Sequence, residues 1–143
     1  MLVSLSNRDI SNGMALVQEF LKRGLPVPLS YAIGMTIRKL RGITEIMTEE
    51  RQRIVDRFTE KDSKGERILS DTGEVSLTDA LGFAVAIEGL MKEDNEVDVH
   101  VITLKTIEAL KGQDNKPIRP SSEEMEGLLL LQMLDSGEDE TEG

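Results

Sequence analysis

The chain contains no cysteine and a single histidine, His100. The missing thiols exclude disulfide frameworks, thiolate zinc sites and cysteine nucleophiles, and one histidine excludes multi-histidine metal centres. Tryptophan is absent too, and three phenylalanines with one tyrosine are too few for the aromatic platform on which single-strand nucleic-acid binders stack bases. Basic charge is in deficit, 17 Lys and Arg against 27 Asp and Glu for a net charge of -10, which disfavours any broad contact with nucleic-acid phosphates. No apolar run exceeds the five residues Phe83 to Ile87, and Met1-Leu-Val-Ser-Leu5 lacks the basic region and apolar core of a signal peptide. The expectation is a soluble, intracellular protein without membrane contact. Neither a Gly-x-Gly-x-x-Gly nor a Gly-Lys-Ser/Thr pattern occurs, so nucleotide hydrolysis of the common kind is not expected.

What is present is a chain of 143 residues, 38% apolar and 31% charged, long enough to bury a core. It reads as a single domain over residues 1–135, followed by an acidic tail, 136–143, with four carboxylates and no apolar side chain, expected to be mobile. Charge is divided unevenly. Up to Lys61 the chain carries 10 basic and 7 acidic residues, and beyond it 7 basic and 20 acidic, net charges of +3 and -13. Two such halves can dock on one another or face a charged partner.

Ser6 caps a helix expected over Asn7 to Lys22, with Ile10, Met14, Val17, Phe20 and Leu21 at helical spacing. Gly24 stops it, and Leu25-Pro-Val-Pro28 forces a turn before a second helix from about Leu29 to Thr59. Its apolar seam runs Ile33, Ile37, Leu40, Met47, Ile54 and Phe58, interrupted at Thr44 and Arg51. At 1.5 Å per residue it is about 45 Å long, longer than its first partner, so its second half must pack on the rest of the domain or on another copy. Asp62 to Gly65 reads as a turn, and Arg67 to Leu77 as two short strands around Asp71-Thr72-Gly73. Thr78 and Asp79 open a third helix to about Lys92, apolar on most sides and therefore expected to be central, with Gly82 and Gly89 spaced to admit another backbone. Glu96 to Ile102 alternates as a strand, Thr103 to Lys111 forms a short helix, and Gln113 to Pro120 is a loop. Ser121 and Glu124 form a capping box for a last helix, whose apolar residues extend from Met125 through Met133 and Leu134. No internal repeat is read. The fold class expected is α+β, predominantly helical: a helical hairpin with one long helix plus a small antiparallel sheet from Arg67–Leu77 and Glu96–Ile102, with Leu2 to Leu5 as a candidate further strand.

Three constellations carry potential chemistry. Asp71-Thr72-Gly73 is the triplet found at the catalytic aspartate of aspartic proteases, but one copy among helices, followed by Glu74, reads as a hairpin turn. Glu60 to Gly65 suggests a calcium loop until Lys64 falls where an oxygen ligand is needed. His100 on the polar side of its strand has no nucleophile identified beside it and reads as a surface residue. The basic residues Arg38, Lys39, Arg41, Arg51, Arg53, Arg57 and Lys61 alternate with Glu45, Glu49, Glu50 and Asp56 and read as a partly paired, solvated face, with Glu49 and Arg53 four apart. No catalytic, cofactor-binding or metal-binding residue is assigned, and no cofactor is expected.

Leu25-Pro-Val-Pro-Leu-Ser-Tyr31, the stretch Arg51 to Gly65 and the strand Glu96 to Ile102 together resemble a group of uncharacterised small proteins of tailed bacteriophages and prophages. The resemblance spans roughly Asn7 to Ile102 and leaves the acidic tail unmatched. It implies a viral protein made in the cytoplasm of a bacterial host, with the virion as a further location, and it carries over no catalytic residue. The function expected is that of a non-enzymatic, homo-oligomeric assembly or protein-interaction module, whose partners are itself and a phage structural or host protein. The alternatives are a phage-encoded inhibitor that binds a host protein through its acidic surface, and a hydrolase that holds magnesium through carboxylates alone.

Overall fold

Ser6 ends a strand and begins a helix. Its hydroxyl accepts the Asp9 N–H at 3.1 Å, converting the exit of β1 (Leu2–Ser6) into the N-cap of α1 (Asn7–Leu21). The computed structural model describes residues 1–112 and 115–135. The 136–143 stretch, and with it the expectation of a mobile tail, lies outside the described residues. Along α1, Ile10, Met14, Val17 and Phe20 are buried at the expected spacing. The chain reverses at Gly24, φ +70°, and α2 (Val27–Phe58) starts with Pro28 in its first turn, where a missing N–H costs nothing.

The described chain divides into two compact units, one formed by Met1–Thr44 with Asp94 onward and the other by Glu45–Glu93; α2 contributes residues to both. In the first unit β1 pairs antiparallel with β2 (Asp94–Asp98), placing Val3 opposite Val97, both buried. β3 (Ile102–Thr103) leads into α4 (Leu104–Ala109) and pairs in parallel with β4 (Leu134–Asp135). Between them lies α5 (Ser122–Leu130), whose capping box forms as the sequence predicts: Ser121 accepts the Glu124 N–H, and Glu124 accepts the Ser121 N–H. The core of this unit is Leu5, Ile10, Phe20, Leu29, Ile33, Leu40, Val99, Ile107, Leu128, Leu131 and Met133. Two differences from the sequence reading occur here. The strand expected over Glu96–Ile102 is split into β2 and β3, and the last helix stops at Leu130 because Gln132 turns at φ +54°, freeing Leu134 to join a strand.

The segment 59–78 of the second unit does not join that sheet. It closes on itself through a ring of three backbone hydrogen bonds: the Glu60 N–H donates to Ser76 O at 2.8 Å, the Ser76 N–H to Ile68 O at 2.9 Å, and the Ile68 N–H to Glu60 O at 2.9 Å. Successive members of the ring are eight residues apart, and the two loops between them are built alike. In the first, Asp62 and Glu66 bracket Gly65 at φ +81°; in the second, Ser70 and Glu74 bracket Gly73 at φ +84°. In each loop the leading side chain, Asp62 or Ser70, accepts the N–H of the trailing glutamate. The segment is thus a short internal repeat that the sequence reading missed, and its ring satisfies the groups that would otherwise have sought the sheet. The antiparallel partner of β2 is β1 instead.

α3 (Ala80–Lys92) follows, with Asp79 as N-cap accepting the Gly82 N–H. Phe83 meets Phe58, at the end of α2, edge to face at 6.2 Å between ring centres. Contrary to the central position expected for it, α3 has no buried residue. Its glycines also serve other ends: a Cβ on Gly82 would collide with the capping carboxylate of Asp79, and Gly89 has open space around it. Among the described residues no helix is long and apolar enough to cross a membrane.

Candidate functional site

Asp71 sits at the exposed tip of the second repeat loop, as its turn reading requires. Asp62 spends its carboxylate on its own loop, one oxygen accepting the N–H groups of Lys64 at 2.9 Å and Glu66 at 3.0 Å. His100 is exposed between β2 and β3. Its backbone N–H donates to the buried Thr36 hydroxyl at 3.0 Å, and its ring lies edge-on to Tyr31. Asp62 and Asp71 belong to the second unit, each in its own loop, and His100 to the first. Among the described residues no three His, Asp or Glu side chains converge as metal ligands.

The basic residues separate by partner. Lys39 reaches Asp98 at 3.4 Å, and the Asp98 carboxyl is held below its ordinary range first by its hydrogen bond from the N-terminal ammonium and then by Lys39. Arg67 pairs with Asp56 at 2.5 Å, and Arg53 pairs with Glu50 rather than with the Glu49 expected from four-residue spacing. Arg57 stacks over the Phe58 ring. The side chains of Arg38 and Arg41 have no ion-pair partner among the described residues.

Two surfaces remain. In the second unit, α3 turns Leu81, Ala84, Val85 and Gly89 to solvent along one stripe, with Leu81 77% and Val85 65% exposed. From Ala80 to Ile87 there is no charged side chain, and Ile46 in the same unit is 63% exposed. Isolated exposed apolar residues are ordinary, but Leu81, Ala84 and Val85 form an uncharged patch over the first two turns, bounded on the same face by Glu88, and such a patch is the kind of surface that marks a contact. The apolar content of this helix was legible in the sequence; that no other described segment covers Leu81 and Val85 was not.

In the first unit, α1 and the first turns of α2 enclose an open groove of about 690 Å³. Leu21, Tyr31, Met35 and Ile37 supply its apolar lining, Gly34 leaves a gap in it, and Gln18, Glu19, Lys22, Arg38 and Arg41 stand around it. The leucine-rich end of the chain, by contrast, offers little surface: Leu128, Leu131 and Met133 are fully buried, and of that group Leu129 alone is strongly exposed.

No family model, no curated protein and no solved structure matches this chain.

Proposed function

We propose that this chain is a non-enzymatic assembly or interaction module that self-associates through the α3 stripe, in keeping with the phage and prophage resemblance of its sequence. The observation that supports this reading most directly is an apolar helix without a single buried residue. Covering a Leu or Val side chain is worth about 1.5–3 kcal/mol, and the stripe holds Leu81 and Val85 together with the small residues Ala84 and Gly89, which allow a second helix to approach closely. A contact between two copies about a two-fold axis uses the same patch twice, so a patch without charge meets no like-charge repulsion. The Glu88–Lys92 pair, 3.8 Å apart, continues the same face one turn beyond Val85 and bounds the uncharged patch there. The test is the mass in solution by light scattering during chromatography at micromolar protein. More than one chain per particle is expected; a monomer throughout that range would overturn the reading.

A further inference from the structure

We propose that the groove between α1 and the first half of α2 is a second docking site, and that its occupant is an acidic, amphipathic helix of a partner protein. The inference rests on residues of the first unit and is independent of the α3 stripe. On the α2 side of the groove stand Tyr31, Gly34, Met35, Arg38 and Arg41, beside the buried Ile37. That spacing, i, i+3, i+4, i+7 and i+10, is one continuous helical face. Ten residues of α2 cover about 15 Å, which matches nearly three turns of a helix laid along it in the manner of helix-in-groove recognition.

The depth needed for an anchoring side chain is supplied by Gly34. Nothing lies within 4 Å of the position its Cβ would occupy, so a partner leucine can enter there between Tyr31 and Met35. Tyr31 itself is 59% exposed, an amphipathic ring suited to a contact that is apolar on one side and wet on the other.

The charge of the occupant follows from Arg38 and Arg41. Lys39, between them in sequence, is paired with Asp98, and Lys22 is bonded to Glu19 at 3.0 Å, whereas among the described residues the two arginines have no ion-pair partner beside the apolar lining. Guanidinium groups in that position favour carboxylates on the incoming helix, through charge-assisted hydrogen bonds and faster encounter. Nucleic acid is the poorer fit to the same cations, because the chain as a whole carries -10 and its phosphate contacts would be few.

The experiment measures fluorescence anisotropy of a labelled synthetic peptide of about fourteen residues, the length of a helix slightly longer than the groove. It carries leucines at i, i+3, i+4 and i+7 with glutamates on the flanking positions. A second peptide has lysine in place of every glutamate, and a short duplex DNA serves as a third probe. The full chain should bind the glutamate peptide at micromolar concentration and the lysine peptide at least tenfold more weakly. Arg38→Glu with Arg41→Glu should weaken the glutamate peptide at least tenfold and favour the lysine peptide. Gly34→Leu, which fills the gap without touching a charge, should abolish binding of both peptides while circular dichroism stays that of the wild type. Equal binding of the two peptides, indifference to the arginine reversals or to Gly34→Leu, absence of binding at millimolar peptide, or tight DNA binding that depends on the same arginines would each overturn the proposal.

Discussion

A Cβ placed on Gly127 would stand 2.8 Å from the Cβ of Leu16 and 3.2 Å from the backbone nitrogen of Val17. α5 and α1 therefore cross at contact distance on a residue with no side chain, and the neighbouring Gly13 faces Leu131 in the same way. Leu131 meets a Cβ on Gly13 at 2.7 Å with side-chain atoms, Cγ and a methyl, which can move at some cost, whereas the backbone of α1 cannot yield. Gly127→Ala is accordingly expected to destabilise the protein by about 1–3 kcal/mol despite its better helix propensity, and Gly13→Ala by less. Gly89→Ala, in open space on α3, should stabilise by about 0.5–1 kcal/mol. Urea unfolding of the three variants checks the order; Gly127→Ala as stable as Gly89→Ala would contradict the packing.

The repeat loops make a paired prediction. Gly65 and Gly73 hold the left-handed conformation at equivalent places, so Gly65→Ala and Gly73→Ala should each cost on the order of 1–2 kcal/mol, by similar amounts. Asp71→Asn, at an exposed turn position of the second loop, should stay within about 0.5 kcal/mol of wild type. Thermal unfolding compares them. Peptide cleavage by the wild-type protein that vanishes in Asp71→Asn would show instead that this aspartate does chemistry.

Asp98 gives the expected pH dependence. Its carboxyl titrates lower in the folded chain than in the unfolded one, because the N-terminal ammonium and Lys39 favour the charged form. Such a group adds stability above the unfolded pKa and loses it as pH falls through the folded value. The gap in melting temperature between wild type and Asp98→Asn should therefore be small and salt-sensitive near neutral pH, since the pair is exposed, and should close as pH drops below about 4. A gap that widens on acidification would show that Asp98 is stabilised in its protonated form.

Much of the fold was legible because its signals are local. Ser6, the Pro26 and Pro28 break, Asp79, and the Ser121–Glu124 box each act on the backbone within three or four residues, and they place the helix starts within a few positions of those observed. What was not legible depends on partners distant in sequence. Gly13 and Gly127 are close-approach residues because they face α5 and α1, whereas Gly82 and Gly89, which looked equivalent by spacing, meet a capping carboxylate and empty space. The ring of Glu60, Ile68 and Ser76 is made of backbone groups, so side-chain identity announces it only through the spacing of two glycines. The groove likewise pairs Lys22 with Arg38 and Arg41 across a helical turn-around, a juxtaposition that no window of sequence contains.

Self-association through α3 is tested most directly by sedimentation equilibrium of the wild type beside Leu81→Glu with Val85→Glu. Both side chains are mostly exposed, so the double substitution should leave the folded chain intact by circular dichroism while it places like charges across the contact between copies. The wild type is expected to sediment as more than one chain and the double variant as a single chain of 15.9 kDa. A variant that keeps the wild-type oligomeric mass would contradict the account.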